Sequence, residues 1–241
     1  FALSGGSEGP ILGAVATSGR WTYPFAGSIS FVTLWFKSLT QNEAECVYLW
    51  QSEHIDVCSD HPIGRTFSAP MTDGRTPFGA HLGGDAHMDS NGFGVTLDGL
   101  DDYMAISPAP NGYTNRGSFT ISFWFTRTEC TVPSGYEYLF SQRQSWAGGN
   151  GRTDHGAQID LSVGCQANAD TIGSGDASEI EGPVLRVSLR DSLDTRANFD
   201  VPLLSTELTG GAVSEMWAHL ILAIDSAGAT TYIDGLEVPW Y

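Results

Sequence analysis

The sequence has few basic residues: 11 lysines and arginines stand against 28 aspartates and glutamates among 241 residues, a formal net charge of −17. Such an acidic chain repels nucleic acids and anionic membranes, so neither is expected as a partner. The charge suits calcium, or a cationic or neutral polar partner, although acidity can also serve only to keep an exposed protein soluble. The chain has no Asn-x-Ser/Thr triplet, so we expect no N-glycosylation.

The given sequence shows no leader pattern and no apolar run typical of a membrane span. Position 1 is not methionine, no basic stretch precedes an apolar one, and no apolar run is long enough to cross a bilayer. We therefore expect no membrane insertion, and we expect the sequence to be a mature piece or an internal part of a longer polypeptide.

Cysteine is scarce, and its spacing argues against two common sites. The four cysteines, Cys46, Cys58, Cys130 and Cys165, form no Cys-x-x-Cys pair, so a zinc ribbon and a thioredoxin-type motif are not expected. Of the three possible pairings, we favour two local disulfides, Cys46 with Cys58 and Cys130 with Cys165; four buried free thiols are the alternative. Disulfides predict an oxidising, extracellular compartment.

Motifs of common enzymes are missing too. The chain has no Gly-rich phosphate loop, no Gly-x-Ser-x-Gly, and no pair of carboxylates spaced along one strand face as a glycoside hydrolase of the glucanase type needs. His81 and His87 lie beside Asp85 and Asp89, but without i, i+4 spacing a solvated loop is a better interpretation than a metal site. We therefore expect no enzymatic activity.

Period-two alternation and turn-forming pairs are what the sequence does contain, and they predict an all-β protein. Between residues 94 and 125 three consecutive runs alternate apolar and polar side chains, and residues 119–125 place four apolar side chains on one face. Asp98-Gly99 and Asn111-Gly112 supply the positive φ angles that tight turns between these runs need.

The rest of the chain continues this pattern. Further strands are predicted at residues 137–142, 157–163, 183–190, 199–204, 217–225 and 230–238. Their spacing is typical of an antiparallel β-sandwich. Residues 25–36 predict another strand, with a bulge near Thr33. Thr40 and Glu43 form a capping box that begins one short helix near residues 40–49.

Three segments resemble one family, the laminin-G-like or concanavalin-A-like jelly rolls that include the pentraxins. LDGLDDYMAIS followed by GSFTISFWF is similar to the opening strands of that family. Residues 216–238 (MWAHLILAIDSAGATTYIDGLEV) resemble its central hairpin, and residues 25–48 (FAGSISFVTLWFKSLTQNEAECVY) resemble its finish. The resemblance implies a jelly-roll β-sandwich.

The order of these segments differs from the family's order, because the finishing motif comes first. This order predicts residues 1–50 as the C-terminal strands and short helix of one sandwich, and residues 92–241 as the N-terminal and central strands of another. Periodicity fades in residues 51–91, which is typical of a connector. Half a sandwich leaves apolar faces and strand edges exposed. We expect a longer polypeptide to supply the missing strands; the alternatives are a neighbouring subunit, or this chain folding back in permuted order.

Calcium is the cofactor that the sequence suggests. Asp98, Asp101 and Asp102 lie within five residues in a turn, a density of hard oxygen ligands that calcium uses. The resemblance also implies structural calcium, which family members often bind. The alternative is a solvated turn in which Asp98 bonds its own backbone.

Trp146 is the best candidate for carbohydrate recognition, because sugar binding needs an exposed aromatic plate with polar neighbours. Those neighbours are Gln144, Asn150 and Arg152. The alternative is a loop tryptophan packed against the sandwich, since tryptophan is on average well buried.

These features predict a noncatalytic extracellular module with a structural or adhesive role. We expect it to be a repeat of a larger surface filament or matrix protein, with neighbouring copies as its partners. The alternative is a calcium-assisted, lectin-like module that binds glycans, and a glycoside hydrolase ranks third.

Overall fold

The computed structural model describes residues 11–17, 20–35, 37–53, 65–69, 80–90, 94–106, 118–127, 136–143, 158–164, 184–190, 196–202 and 217–239. These residues form two large antiparallel β-sheets and one α-helix, α1 (Gln41–Glu53). The predicted all-β sandwich with one short helix is therefore confirmed, while the jelly-roll order of its strands stays a prediction.

The strands are short to medium in length. In chain order they are β1 (Ile11–Leu12), β2 (Val15–Thr17), β3 (Arg20–Thr22), β4 (Ala26–Trp35), β5 (Arg65–Ala69), β6 (Ala80–Gly83), β7 (His87–Met88), β8 (Val95–Asp98), β9 (Tyr103–Ile106), β10 (Phe119–Arg127), β11 (Tyr136–Arg143), β12 (Gln158–Gly164), β13 (Val184–Arg190), β14 (Arg196–Pro202), β15 (Ala218–Ile224), β16 (Ala229–Ile233) and β17 (Leu236–Val238). Sheet I has the order β14-β13-β12-β11-β1-β9-β6. Sheet II has the order β17-β16-β15-β10-β4-β8-β7, with β5 also paired to β4, and β2 and β3 form a separate ribbon.

The predicted strands after residue 94 are all present, with one division. The run at residues 230–238 forms both β16 and β17, because Asp234 and Gly235 have φ angles of 50° and 79° and make a tight hairpin turn. Strands β5, β6 and β7 lie in the stretch where a connector is expected. They are two to five residues long, too short for alternation to reveal them.

The hydrophobic core lies between the two sheets. Inward-facing side chains of β10 meet those of sheet I, and the largest fully buried ones include Phe25, Phe119, Phe123, Phe125 and Phe140. The four apolar side chains of residues 119–125 that the sequence places on one face are all part of this core. Removing these aromatic surfaces from water is the main favourable term in the stability of the sandwich.

Strand β4 lies at the centre of sheet II. It pairs with β10 on one side, and on the other side with β8 along its first half and β5 along its second half. Its register with β10 shifts between Ser122 and Trp124, where β4 carries one extra residue, and Phe31 there has a φ of 49°. This irregularity confirms the bulge predicted near Thr33.

Strand β1 has the corresponding position in sheet I. Ile11 pairs with Ser141 of β11 on one side and with Ala105 of β9 on the other. Residues 11–35 therefore supply a central strand to both sheets. In this single chain, the segment with the finishing motif pairs with strands of the opening motif, which is the fold-back arrangement. The division at residues 50 and 91 and the tandem repeat stay predictions.

Helix α1 begins at the predicted capping box. The backbone N–H of Thr40 donates to Glu43 Oε2 (3.0 Å), and the N–H of Glu43 donates to Thr40 Oγ1 (3.4 Å). The helix has 13 residues and packs on the outer face of sheet II through Ala44 and Val47. Because this packing continues, the helix extends four residues beyond the predicted end at residue 49.

A buried ion pair joins the two sheets at one end of the core. Nε and Nη2 of Arg127, on β10, lie 3.1 and 3.0 Å from Oε2 of Glu137, on β11. Their side chains are 4% and 0% exposed. A pair this deeply buried gains little net stability over an apolar pair of similar shape, but either charge alone is costly.

Replacing Glu137 by Gln should therefore destabilise the fold strongly, because Arg127 keeps a buried charge without its counterion. We expect a loss of about 3–5 kcal/mol in the free energy of unfolding, measured by urea denaturation. The double variant Arg127→Met/Glu137→Leu should recover most of that loss.

Lys37→Met is the matched control, because Lys37 forms an ion pair with Glu43 at a position where the lysine is 41% exposed. Its effect should stay below about 1 kcal/mol. If Glu137→Gln and Arg127→Met/Glu137→Leu lose the same free energy of unfolding, this account of the buried pair is contradicted.

Candidate functional site

The acidic cluster lies in the turn that leads from β8 in sheet II to β9 in sheet I. One carboxylate oxygen from each of Asp98, Asp101 and Asp102 lies within 4.8 Å of the others. Asp98 and Asp101 are exposed, whereas Asp102 is 1% exposed. The structure therefore brings the three predicted residues together but gives Asp102 a different environment.

Asp102 joins two turns that both cross between the sheets. Its Oδ1 accepts the backbone N–H of Asp85 (2.6 Å), in the turn between β6 and β7, and its Oδ2 accepts the N–H of Asp98 (2.8 Å). Gly84 lets the first turn approach, since a Cβ there would lie 2.5 Å from Asp102 Oδ1 and its φ is 70°. We call this set of contacts the Asp102 corner.

The electrostatics of this corner combine opposing effects. Burial raises the pKa of Asp102, the two backbone N–H donors act to lower it, and the charges of Asp98 and Asp101 add to the rise. The net pKa is raised. Asp98 Oδ1 also accepts the N–H of Leu100 (2.8 Å), the local turn bond that the alternative interpretation expects.

The cluster fits calcium in ligand type. Carboxylate oxygens are its usual ligands, and an oxygen that accepts one backbone N–H keeps a second lone pair. Asp98, Asp101 and Asp102 are also the one group of three potential ligands so close together in the part of the chain that the structure describes. Since the hydrogen bonds explain Asp102 without an ion, calcium stays a prediction.

The histidines of β6 and β7 form no such cluster within the described residues. His81 and His87 are both exposed, and His87 Nδ1 lies 3.0 Å from the backbone oxygen of Asp85. Within the described residues, they join no group of three ligands. These positions agree with the solvated interpretation.

The predicted carbohydrate site lies outside the described residues. This applies to Trp146, Gln144, Asn150 and Arg152 alike. The proposed role of these side chains in sugar stacking stays a prediction.

One of the four cysteines can be placed. Cys46 lies in α1 and is disulfide-bonded. Cys58, Cys130 and Cys165 lie outside the described residues, so both proposed pairings stay predictions.

A second candidate site lies under helix α1, among residues that the sequence predicts only as parts of strands. We call it the covered face: the outward side chains of β4, β10 and β15, on the side of sheet II where α1 packs. Its buried members are Ser30, Thr33, Trp35, Thr120, Ser122, Trp124, His219, Ile221 and Ala223. Seven of these nine side chains carry a polar atom, an unusual composition for a helix–sheet contact.

Three rings stack at one end of the covered face. Trp124 and His219 are register partners on β10 and β15, and their ring centroids are 4.9 Å apart. Tyr48 of α1 lies over both, at 5.7 Å from Trp124 and 5.9 Å from His219. The Nε1–H of Trp124 donates to Oε1 of Gln51 (2.7 Å), which fixes the C-terminal part of the helix.

His219 is buried in this stack without hydrogen bonds from its ring. The residue is 0% exposed, and neither Nδ1 nor Nε2 has a hydrogen-bond partner among the described residues. Burial lowers the pKa of His219 to about 3. Its imidazole is therefore neutral at physiological pH. Alternation alone places His219 on the outward face of a strand, but only the packing of α1 shows that it is buried.

Asp102→Ala should destabilise the fold, because it leaves the N–H groups of Asp85 and Asp98 without their acceptor. We expect a loss of about 1–3 kcal/mol in the free energy of unfolding, measured by chemical denaturation. The exposed neighbour Asp101→Ala is the control and should change it by less than about 0.5 kcal/mol. If the two variants lose the same amount, the Asp102 corner does not hold the turns together.

Among the described residues, no helix has the length and apolar character needed to cross a membrane. Comparison with known proteins finds no relative: no protein-family model, no curated protein and no solved structure matches this chain. Similarity to the laminin-G-like jelly rolls therefore stays a prediction from the motifs.

Proposed function

We propose that this protein is a noncatalytic extracellular module with a structural or adhesive role, a repeat of a larger surface filament or matrix protein. Its partners in this proposal are neighbouring copies or repeats of the same protein. The observation that carries the proposal is the position of residues 11–35, which supply a central strand to both sheets.

A central strand from one end of the sequence suits assembly. The backbone groups of β10 and β8 are paired through β4, and those of β11 and β9 through β1. The same hydrogen bonds form equally well with residues 11–35 of another copy or of the next repeat. A module of this kind can be joined to its neighbours without any new type of contact.

The buried charged groups also support a structural role. Arg186 donates from Nε and Nη2 to the two carboxylate oxygens of Asp200 (2.7 and 2.5 Å), and Ser141 Oγ donates to Asp160 Oδ1 (2.7 Å). These contacts join neighbouring strands of sheet I. Charges engaged in this way stabilise strand register and are poorly placed for acid–base catalysis.

The disulfide at Cys46 supports an extracellular location. Stable disulfides form in oxidising compartments and are rare in the cytosol. An acidic surface with a net charge of −17 is compatible with a protein that must stay soluble outside the cell.

The size of the native protein tests this proposal. We expect either a polypeptide longer than the 25.8 kDa chain or a stable assembly of that chain, measured by intact mass spectrometry and light scattering. Binding to neighbouring copies should persist without any sugar. A native 25.8 kDa polypeptide that stays monomeric at every concentration would contradict the proposed repeat.

A cysteine cross-link can show whether copies exchange β4. Ser28 and Thr126 are register partners on β4 and β10, within reach of a disulfide. Equal amounts of Ser28→Cys and Thr126→Cys chains, assembled together and oxidised, should give cross-linked dimers. Ser28→Cys mixed with Asn198→Cys, a residue exposed in sheet I, is the control that should give none. A chain that carries both Ser28→Cys and Thr126→Cys gives the comparison. If the cross-link forms within that chain but not between the two single variants, exchange of β4 is excluded.

A calcium-assisted, lectin-like module is the second candidate function. The observation that favours it is the group of carboxylate oxygens from Asp98, Asp101 and Asp102 within 4.8 Å of one another. In this candidate, calcium stiffens the turn between β8 and β9, and the sugar stacks on Trp146. Loss of glycan-array binding in Trp146→Ala would favour this function over the structural one.

Calcium binding has its own test. If calcium binds here, millimolar CaCl2 should raise the Tm of the wild-type protein, because binding adds about 2.7 kcal/mol to the free energy of unfolding when free calcium is about 100 times Kd. Asp101→Ala should abolish that rise, because it removes one ligand without disturbing the Asp102 corner. MgCl2 is the salt control. No rise, or the same rise in both proteins, would exclude calcium from this cluster.

A further inference from the structure

The covered face, on which helix α1 packs, carries buried polar groups that have no hydrogen-bond partner in the described part of the chain. They are Nε1 of Trp35, Oγ of Ser122 and both ring nitrogens of His219, all on the covered face. A buried polar group without a partner destabilises the arrangement that buries it. The docked position of α1 is therefore stabilised by its other contacts and weakened at these three residues.

His219 differs from Trp35 and Ser122 because its side chain takes up a proton in mild acid once water reaches it. In the docked arrangement, Trp124 lies beside the imidazole and Tyr48 of α1 lies over it. Neither ring nitrogen reaches an acceptor, so a proton there would be both buried and unpaired. When α1 lifts, Tyr48 leaves with it, and water can hydrate the imidazolium.

We propose that His219 makes the docking of helix α1 sensitive to acid: protonation of its imidazole releases α1 from sheet II and exposes the covered face while the sandwich stays folded. The released helix stays tied to the protein by the chain itself. At neutral pH the His219 ring is uncharged and α1 is docked.

The groups around His219 allow this assignment. On α1 the facing titratable group is Tyr48, with the exposed Glu45 one turn away. On β10 the facing residue, Trp124, carries no charge. In the turn between β16 and β17, Asp234 accepts the backbone N–H of His219 through Oδ1 (2.8 Å), and it makes no hydrogen bond to the imidazole. Asp234 therefore does not supply a hydrogen-bonded counterion for the protonated ring.

The other polar contacts that dock the start of α1 do not titrate between pH 5 and 7.5. Thr120 Oγ1 donates to the backbone oxygen of Lys37 (2.7 Å) and accepts the N–H of Leu39 (3.0 Å). Gln41 Nε2 donates to the backbone oxygen of Gly235 (2.7 Å). Glu43 is a carboxylate of the helix. Burial acts to raise the pKa of Glu43, but hydrogen bonds from Lys37 and Thr40 outweigh burial, and the net pKa is lowered.

The direction of the effect follows from the change in pKa on docking. Burial lowers the pKa of the docked imidazole from 6.5 to about 3, and release returns it toward 6.5. The released state therefore binds a proton below pH 6.5, and the docked state does not. Stability of the docked state is full above pH 6.5 and is lost as the pH falls from there toward 3. The ratio of released to docked helix should rise about 30-fold between pH 7.5 and pH 5.

Hydrogen exchange measured by NMR on the full chain, with its disulfides intact, tests this proposal. Protection of the α1 amides of residues 44–51, corrected for intrinsic exchange, should fall about 30-fold between pH 7.5 and pH 5. Protection of the β15 amides of residues 220–224 should stay constant. In His219→Phe, which keeps a ring in the stack but cannot bind a proton, α1 protection should be the same at both pH values.

His81→Gln is the matched control, because His81 is exposed on β6 and should leave the wild-type response unchanged. An unchanged α1 protection in the wild type, or the same fall in His219→Phe, would overturn the proposal. Should His219→Phe not fold, the NMR titration of the His219 ring in the wild type decides. A ring that binds its proton near pH 6.5 while α1 keeps its protection would equally overturn the proposal.

Discussion

The whole sandwich depends on the hydrogen bonds that β1 and β4 make on both of their sides. Without them each sheet would separate into two smaller pieces with unpaired edges between β11 and β9 and between β10 and β8. The bulge at Phe31 has a role in this arrangement, because it lies where the second partner of β4 changes from β8 to β5. A bulge increases the twist of a strand, so the two halves of β4 can meet different neighbours.

Helix α1 completes sheet II in two ways. It covers the outer face of β10 and β15, and its first residue covers an edge. Gln41 donates from Nε2 to the backbone oxygen of Gly235 (2.7 Å) and accepts the N–H of Glu237 at Oε1 (3.1 Å). The amide thus occupies backbone groups of the hairpin that a further strand would otherwise take, which protects this edge from pairing with another chain. Because α1 follows β4 directly, one stretch of sequence supplies both the centre and the cover of the same sheet.

Local features of this fold could be predicted from the sequence, and distant contacts could not. Alternation identifies β10, the capping box of Thr40 identifies the start of α1, and the interrupted pattern near Thr33 identifies the bulge, because each depends on neighbours within a few residues. Pairing of β4 with β10 joins residues about 90 positions apart, and no local pattern encodes it. The order of the motifs favours a longer polypeptide and leaves fold-back of this chain as an alternative.

The candidate sites show the same limit. Asp98, Asp101 and Asp102 look equivalent in the sequence, yet Asp102 alone meets the N–H of Asp85, which the turn between β6 and β7 supplies. His219 is one of several outward strand residues until Tyr48 of α1 covers it. In both cases the local chain supplies the residue type, and a distant element decides whether the group is buried.

Asp102 and His219 are both buried ionisable groups, but a fall in pH changes their contributions to the stability of the fold in opposite directions. The pKa of Asp102 is raised in the folded state, so the folded protein takes up that proton more readily than the unfolded chain, and protonation of Asp102 does not by itself favour unfolding. The pKa of His219 is lowered to about 3 because its ring is buried without a partner. Of these two groups, only His219 therefore makes the fold less stable as the pH falls, and its effect is exerted where α1 meets sheet II.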